Sequence, residues 1–367
     1  MLVGAMCVAG CSERGESSAD AGRHVDAGAA DGGADAGAAD AGEDPCACTV
    51  GSHNELVYLM SQEGELWSWD PVTHAFAFVV GPVCDGMRPF SMAVDAKGIA
   101  WIQMVDSLGV LTLDVNAPGA CSMSPYTRRD PSISYFGMSF AANSETDTCA
   151  DLYVHTYSGE GPFSEGPDSG QLAAIDPVTG ALRVITTVDY DGGELTGTGD
   201  GRLFALAGAV PVKLVEYAKV TGAVIETIPL EGFRRTGASA AAFHSGDIYV
   251  FIEADPPECT ECLDTTCPTE HAACLADPVC AEHLECAKDM ADIRDDCGGG
   301  MPAEMMTCIS TCSEQCLIPY RARVSRVLRF DLDESEAPGR TTTEVIPRAP
   351  IRIVGAATSP CVSTIPF

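Results

Sequence analysis

Basic residues are scarce in this chain. Lys and Arg number 21 against 53 Asp and Glu, and the formal net charge is -32. Nucleic acids and anionic membrane surfaces draw proteins through clustered Lys and Arg, so this balance argues against both as electrostatic partners. Familiar catalytic signatures are missing too. No G-x-S-x-G elbow, H-E-x-x-H pair or phosphate-binding P-loop occurs, and the seven histidines place no pair on a common strand. Neither a cofactor nor a metal is expected. Large apolar residues are nearly absent from 12–45, which is mostly Ala, Gly and Asp. Such a segment buries too little surface to offset its ordering entropy, and it reads as a disordered, self-repelling tether.

Cysteine, in contrast, is plentiful. Eighteen residues are too many for a reducing compartment, and they imply export and disulfides. The first eleven residues are apolar and end in Val8-Ala9-Gly10-Cys11. This ending resembles a bacterial lipobox. The resemblance implies a signal segment over 1–11, a lipid on Cys11 as the membrane anchor, and a sorting role for Ser12. The tether at 12–45 would then hold a folded domain off the bilayer of an outer membrane or cell surface.

The next signal is a repeat. DPVT occurs at Asp70–Thr73 and again at Asp176–Thr179. A short alternating strand precedes each copy, and five versions of it exist: LWSWD, VLTLD, LAAID, LVEYA and VLRFD. Their penultimate position is always large: Trp69, Leu113, Ile175, Tyr217 and Phe330. An upstream column carries an aromatic third residue: Tyr58, Trp101, Tyr153, Phe204 and Tyr249. Before it lies a column of small residues: FSMAVD, FGMSFA, LTGTGD, ASAAAF and IVGAAT. A fourth strand follows the turn, as in AFAFVV, ALRVITTV and AVIETI. Four strands every ~45–60 residues mark a β-propeller. The fold class is therefore all-β, with five blades and a small helical insertion. The small column should be innermost, where blades crowd the axis, and the aromatic column second. The chain begins on a second strand and ends on an innermost one, so the two termini should share a blade. In D-P-V-T-G, Asp can bond backbone N–H groups, Pro presets φ and Gly accepts positive φ, which suits the turn between third and fourth strands.

The column order resembles NHL-type repeats. More closely, FSMAVD-x-x-G-x-A-W, ELTGTGDGRLF and IVGAA-x-S-x-C resemble a family of secreted propeller lipoproteins of Gram-negative bacteria. The resemblance implies fold and export, and no activity. The repeat and the cysteine-rich run divide the mature domain into a first propeller part at 46–257, an insertion at 258–320 and a closing part at 321–367.

The insertion holds ten cysteines: Cys259, Cys262, Cys267, Cys274, Cys280, Cys286, Cys297, Cys308, Cys312 and Cys316. Asp277-Pro278 and Pro302 read as helix starts, and Cys308, Cys312 and Cys316 fall on one helical face. A small helical unit with about five bridges follows, since so short a segment has too little core of its own. A zinc site on Cys259 and Cys262 with His271 or His283 is the alternative. Of the remaining cysteines, Cys361 could join Cys46 or Cys48 and lock the ring, Cys84 could join Cys121, and Cys149 would take the partner left over.

Candidate site residues lie on the face that carries the insertion, the blade-to-blade loops and a long loop at 158–170. Four of the five blade-to-blade loops carry arginine: Arg88, Arg128 and Arg129, Arg234 and Arg235, and Arg348. They could ring the channel mouth and bind an anionic group of a glycan or peptide. The plainer reading pairs each with a neighbouring acid such as Asp85, Asp130 or Glu231. Glu194 is the one carboxylate at the loop-side start of an inner strand. A glycan hydrolase or lyase would use it with Asp191 or Glu231, whereas Asp95 and Asp200 sit in ordinary turn patterns. A third reading makes the propeller a platform and the arm, with Met301, Met305 and Met306, a contact element. The reading adopted is a non-enzymatic surface lipoprotein whose propeller binds a protein or glycan.

Overall fold

The computed structural model describes residues 46–105, 109–126, 133–158, 164–208, 211–230, 238–254, 257–290, 301–317, 323–335 and 339–362. The propeller consists of five four-stranded antiparallel sheets. Blade 1 is β4 (Pro89–Val94), β5 (Ile99–Met104), β6 (Val110–Asp114) and the two-residue β7 (Ser122–Met123). Blade 2 is β8 (Tyr135–Ser144), β9 (Asp147–Tyr157), β10 (Glu165–Ile175) and β11 (Leu182–Tyr190). Blade 3 is β12 (Glu194–Gly197), β13 (Leu203–Ala207), β14 (Val212–Tyr217) and β15 (Val224–Leu230). Blade 4 is β16 (Ser239–His244), β17 (Asp247–Glu253), β18 (Ser325–Asp331) and β19 (Thr342–Ile346). Blade 5 takes β20 (Ile353–Ala357) from the C-terminal end and β1 (Val57–Ser61), β2 (Leu66–Asp70) and β3 (Ala75–Val80) from the N-terminal end.

The strands of the small-residue column touch one another in a closed ring, β20 to β4, β8, β12, β16 and back to β20. Their column is therefore the hub. An inner strand presents one unpaired edge to the axis, and backbone N–H groups there need partners. Hydroxyls of the neighbouring blade supply several. Ser91 Oγ accepts from Met138 N at 3.2 Å, Ser139 Oγ from Gly197 N at 2.8 Å, and Thr196 Oγ1 from Phe243 N at 2.8 Å. Small hydroxyl residues thus save space and satisfy the hub.

The two bulky columns meet between blades. Tyr58 packs with Met92 and Leu113, Trp101 with Met138 and Ile175, Tyr153 with Leu195 and Tyr217, Phe204 with Ala241 and Phe330, and Tyr249 with Ala356 and Trp69. In every layer a second-strand aromatic of one blade meets the inner strand and third-strand bulk of the next. All ten side chains of the two columns are at most 5% exposed. Close packing of such shapes fixes the angle between sheets as well as their burial.

The turn chemistry repeats as well. Asp70 Oδ1 accepts from Val72 N at 2.8 Å and Thr73 N at 3.3 Å; Asp176 Oδ1 accepts from Val178 N at 2.8 Å and Thr179 N at 2.9 Å. Blade 3 has Ala218 at the equivalent place, and the turn closes on its carbonyl, with Gly222 N donating at 2.6 Å.

The insertion leaves between β17 and β18. It contains α1 (Pro257–Thr266), α2 (Pro268–Ala276), α3 (Pro278–Met290), α4 (Ala303–Thr311) and the short α5 (Ser313–Cys316). Asp277 caps α3 by accepting from Val279 N and Cys280 N. Pro302 is itself the N-cap of α4, one residue earlier than a first helical position. Bridges Cys259–Cys316, Cys262–Cys312 and Cys267–Cys308 fasten α1 and its end to α4 and α5 like rungs, and Cys274–Cys280 closes the α2–α3 corner. Cys286 is also disulfide-bonded, while Cys297 lies outside the described residues. These cysteines with Leu263, Leu284, Met305 and Ile309 form a separate core. Methionines 301 and 305 are buried in it, so the arm's inner packing claims them.

Residues 46–55 run across the face opposite the insertion. Cys46 is bonded to Cys149 at the β8–β9 turn, and Cys48 to Cys361 beyond β20. Thr49 N donates to the Ala96 carbonyl at 3.2 Å, and His53 lies 3.1 Å from the Asn116 side chain. His244 Nε2 donates to the Glu55 carbonyl at 3.0 Å. This strap therefore ties the lower ends of blades 1, 2, 4 and 5. The third propeller bridge, Cys84–Cys121, joins the β3–β4 loop to the segment after β6.

Candidate binding site on the insertion-side face

β12 begins at Glu194, and the loop before it is pinned at each residue. Asp191 accepts from Ser158 N at 2.8 Å and from Ser158 Oγ at 2.6 Å. Gly192 N donates to the Thr156 carbonyl at 2.8 Å, and Gly193 N donates to His155 Nδ1 at 3.1 Å. His155 is fully buried and acts as a positioning residue for the segment that delivers Glu194. Glu194 itself is 8% exposed, and Ser91 Oγ donates to its Oε2 at 3.1 Å. Ser91 is on blade 1 and Glu194 on blade 3, so this contact passes over β8 of blade 2. Gly137 makes room: a Cβ there would stand 2.3 Å from the Gly193 carbonyl and 3.0 Å from Glu194 Oε2.

Beside this carboxylate stands a group of half-buried rings. Phe90 lies 5.0 Å from Tyr135 and 5.9 Å from Tyr157, the latter pair stacked at 14°. Tyr135 and Tyr157 are cross-strand partners at the end of the β8–β9 hairpin. Phe90 is the extra residue of a bulge in β4, since Pro89 pairs with Met104 and Ser91 with Gln103. Successive strand residues normally point to opposite faces, but the bulge lets both Phe90 and Ser91 reach blade 2.

A second buried polar group closes the stem of the insertion. Glu253, last residue of β17, is bridged by Arg323 at 2.9 Å and by Arg352, which also bonds Gln62. Arg352 is 2% exposed at the start of β20. Sequence reading chose Arg348 in the same loop, and the structure leaves Arg348 exposed. The only signal for Arg352 was its place next to the inner strand, where a side chain cannot avoid the hub.

Arg88 is exposed on this face, while Arg128, Arg129, Arg234 and Arg235, with Asp130 and Glu231, lie outside the described residues. Asp191, named as a partner carboxylate for Glu194, is buried and anchors the loop through Ser158. Asp95 sits in a turn, accepting from Lys97 N and Ile99 N, and burial raises its pKa. Of the loop expected at 158–170, residues from Glu165 onward belong to β10. The thiols of Cys259 and Cys262 are consumed in disulfides, and His271 is bonded to Asp264, so the zinc alternative loses its ligands. Among the described residues, Asp247, Asp331 and Asp333 also converge within 4.8 Å on the strap side of blade 4. There Ser335 N donates to Asp331 and Asp333, and Arg329 approaches Asp247 at 3.8 Å.

No family model and no curated protein matches the chain. Among solved structures it is similar to PorZ, described as an essential surface component of the type-IX secretion system of Porphyromonas gingivalis, at 12% identity over 55% of this chain and 22% of that one, TM-score 0.32. It is also similar to the Dos1 propeller, at 10% identity over 55% of this chain and 53% of that one, TM-score 0.33. A third likeness is TolB from Acinetobacter baumannii, at 14% identity over 55% of this chain and 48% of that one, TM-score 0.34. The chain's own five sheets define its fold.

Proposed function

We propose that this is an exported, non-enzymatic binding platform, anchored through a lipid on Cys11 and engaging a protein or glycan of the cell envelope with its insertion-side face. The disulfides fit an envelope or extracellular protein. One observation carries the choice of face: the pinned 191–193 loop seats a buried carboxylate at the head of the hub, over Gly137. Rigid support of a polar group in a crowded hub is what a recognition site requires. The opposite face is crossed by the strap at 46–55, which leaves less of that side open. A hydrolase would need a second carboxylate beside Glu194; of the two candidates, Asp191 holds Ser158 and Glu231 lies outside the described residues.

The test is a pull-down from solubilised envelope with the full-length, unlipidated chain (Cys11→Ser), with and without residues 259–316. Specific retention of an envelope component is expected. Retention of nothing, by either form, removes the reading.

A further inference from the structure

The geometry points to a saccharide-binding subsite formed by Phe90, Tyr135, Tyr157 and Glu194, the last held by Ser91. It rests on the insertion-side face being the binding face and names the ligand class for it. A sugar ring offers an apolar C–H face and a rim of hydroxyls. Its receptor therefore needs an aromatic surface beside a few fixed acceptors and donors. Those two elements adjoin here. Tyr135 and Gly137 share one side of β8, two residues apart, so their Cβ positions stand about 7 Å apart, one pleat repeat. Glu194 Oε2 lies against the place where Gly137 lacks a side chain, and Ser91 Oγ is hydrogen-bonded to it.

The arrangement is built. Phe90 reaches the two tyrosines because β4 carries a bulge at that residue, and bulges re-aim side chains beside functional sites. The carboxylate is held by a loop bonded at three successive residues. Both the rings and the acid thus keep fixed positions, which lowers the ordering cost of binding a weakly attractive ligand.

The full-length chain carrying Cys11→Ser is titrated with chitotetraose, cellotetraose, maltotetraose and mannotetraose. Saturation-transfer NMR reads which sugar protons meet aromatic protons of the protein. At least one saccharide should receive transfer, and Phe90→Ala or Tyr157→Ala should weaken its binding roughly tenfold or more, the loss expected of a central aromatic anchor. Phe90→Leu preserves apolar volume and should still lose the stacking; it serves if the alanine variant melts early. Absence of transfer from all four sugars, or unchanged binding by folded variants, overturns the proposal. A polylysine peptide is run in parallel, and its retention with loss in Glu194→Gln, while sugars are ignored, also overturns it in favour of a cationic ligand. The envelope pull-down separates the two levels. If Phe90→Leu abolishes retention but no sugar binds, the face stands and the ligand class falls. If neither responds, both fall.

Discussion

At the scale of single residues, absence of a side chain does as much as presence. Gly137 lets Glu194 cross β8, and backbone atoms that cannot move away define the gap. Gly137→Ala should destabilise the protein by about 1–3 kcal/mol through overpacking. Gly119→Ala, whose Cβ would have its nearest neighbour at 4.0 Å, should leave the melting temperature unchanged. Denaturant titration of the pair checks this. His244 supplies a pH dependence. Burial is the chief cause that lowers its pKa, against smaller opposing effects of the Glu55 carbonyl and Asp70. The unfolded chain then takes up this proton more readily than the folded one, so the stabilisation is complete above the ordinary histidine value of 6.5 and is lost as pH falls through the folded value. Melting followed from pH 7.5 to 5 should show a decline that His244→Gln flattens. Individual residues were also the least legible from sequence. Glu194 was visible because β12 starts on it. Arg352, His155 and the bulge at Phe90 were not, because each depends on which neighbouring strand lies across from it.

At the scale of elements, the repeat carried most of the information. Small, aromatic and bulky columns recur because each inter-blade layer solves the same packing problem, so composition at equivalent positions exposes strand order. Phe204→Ala should cost about 3–5 kcal/mol, as a buried aromatic shared by two blades. The equivalent change at exposed Phe78 on outer strand β3 should cost far less, and chemical denaturation compares them. The insertion was legible as helical through Asp277 and Pro278, yet cysteine spacing alone could not rank its many pairings. The bonding pattern emerges only once α1 and α4 are antiparallel. Because the arm's core contains insertion residues alone, removing 259–316 should leave the propeller's near-ultraviolet signal and cooperative unfolding intact. Loss of cooperativity would place the arm within the propeller's core. The stem ions Glu253, Arg323 and Arg352 lie outside the deleted span and should still pair.

At the scale of the whole molecule, closure decides stability and orientation together. A ring made from both ends of a chain opens wherever those ends separate. Here β20 and β1 pair, and the Cys48–Cys361 bridge adds a link 313 residues long in sequence. Cys48→Ser with Cys361→Ser should lower stability by about 2–5 kcal/mol, mainly through greater freedom of the unfolded chain. The same bridges spread 46–55 over one face and leave the other to the arm, Glu194 and the ring cluster. Hydrogen exchange of the full-length Cys11→Ser chain, alone and loaded with its retained envelope partner, tests that division most directly. Protection is predicted at 88–91, 135–139, 155–158 and 190–195, on the insertion side. Protection confined to the strap at 46–55 and the turns at 70–74 and 176–180 would contradict it.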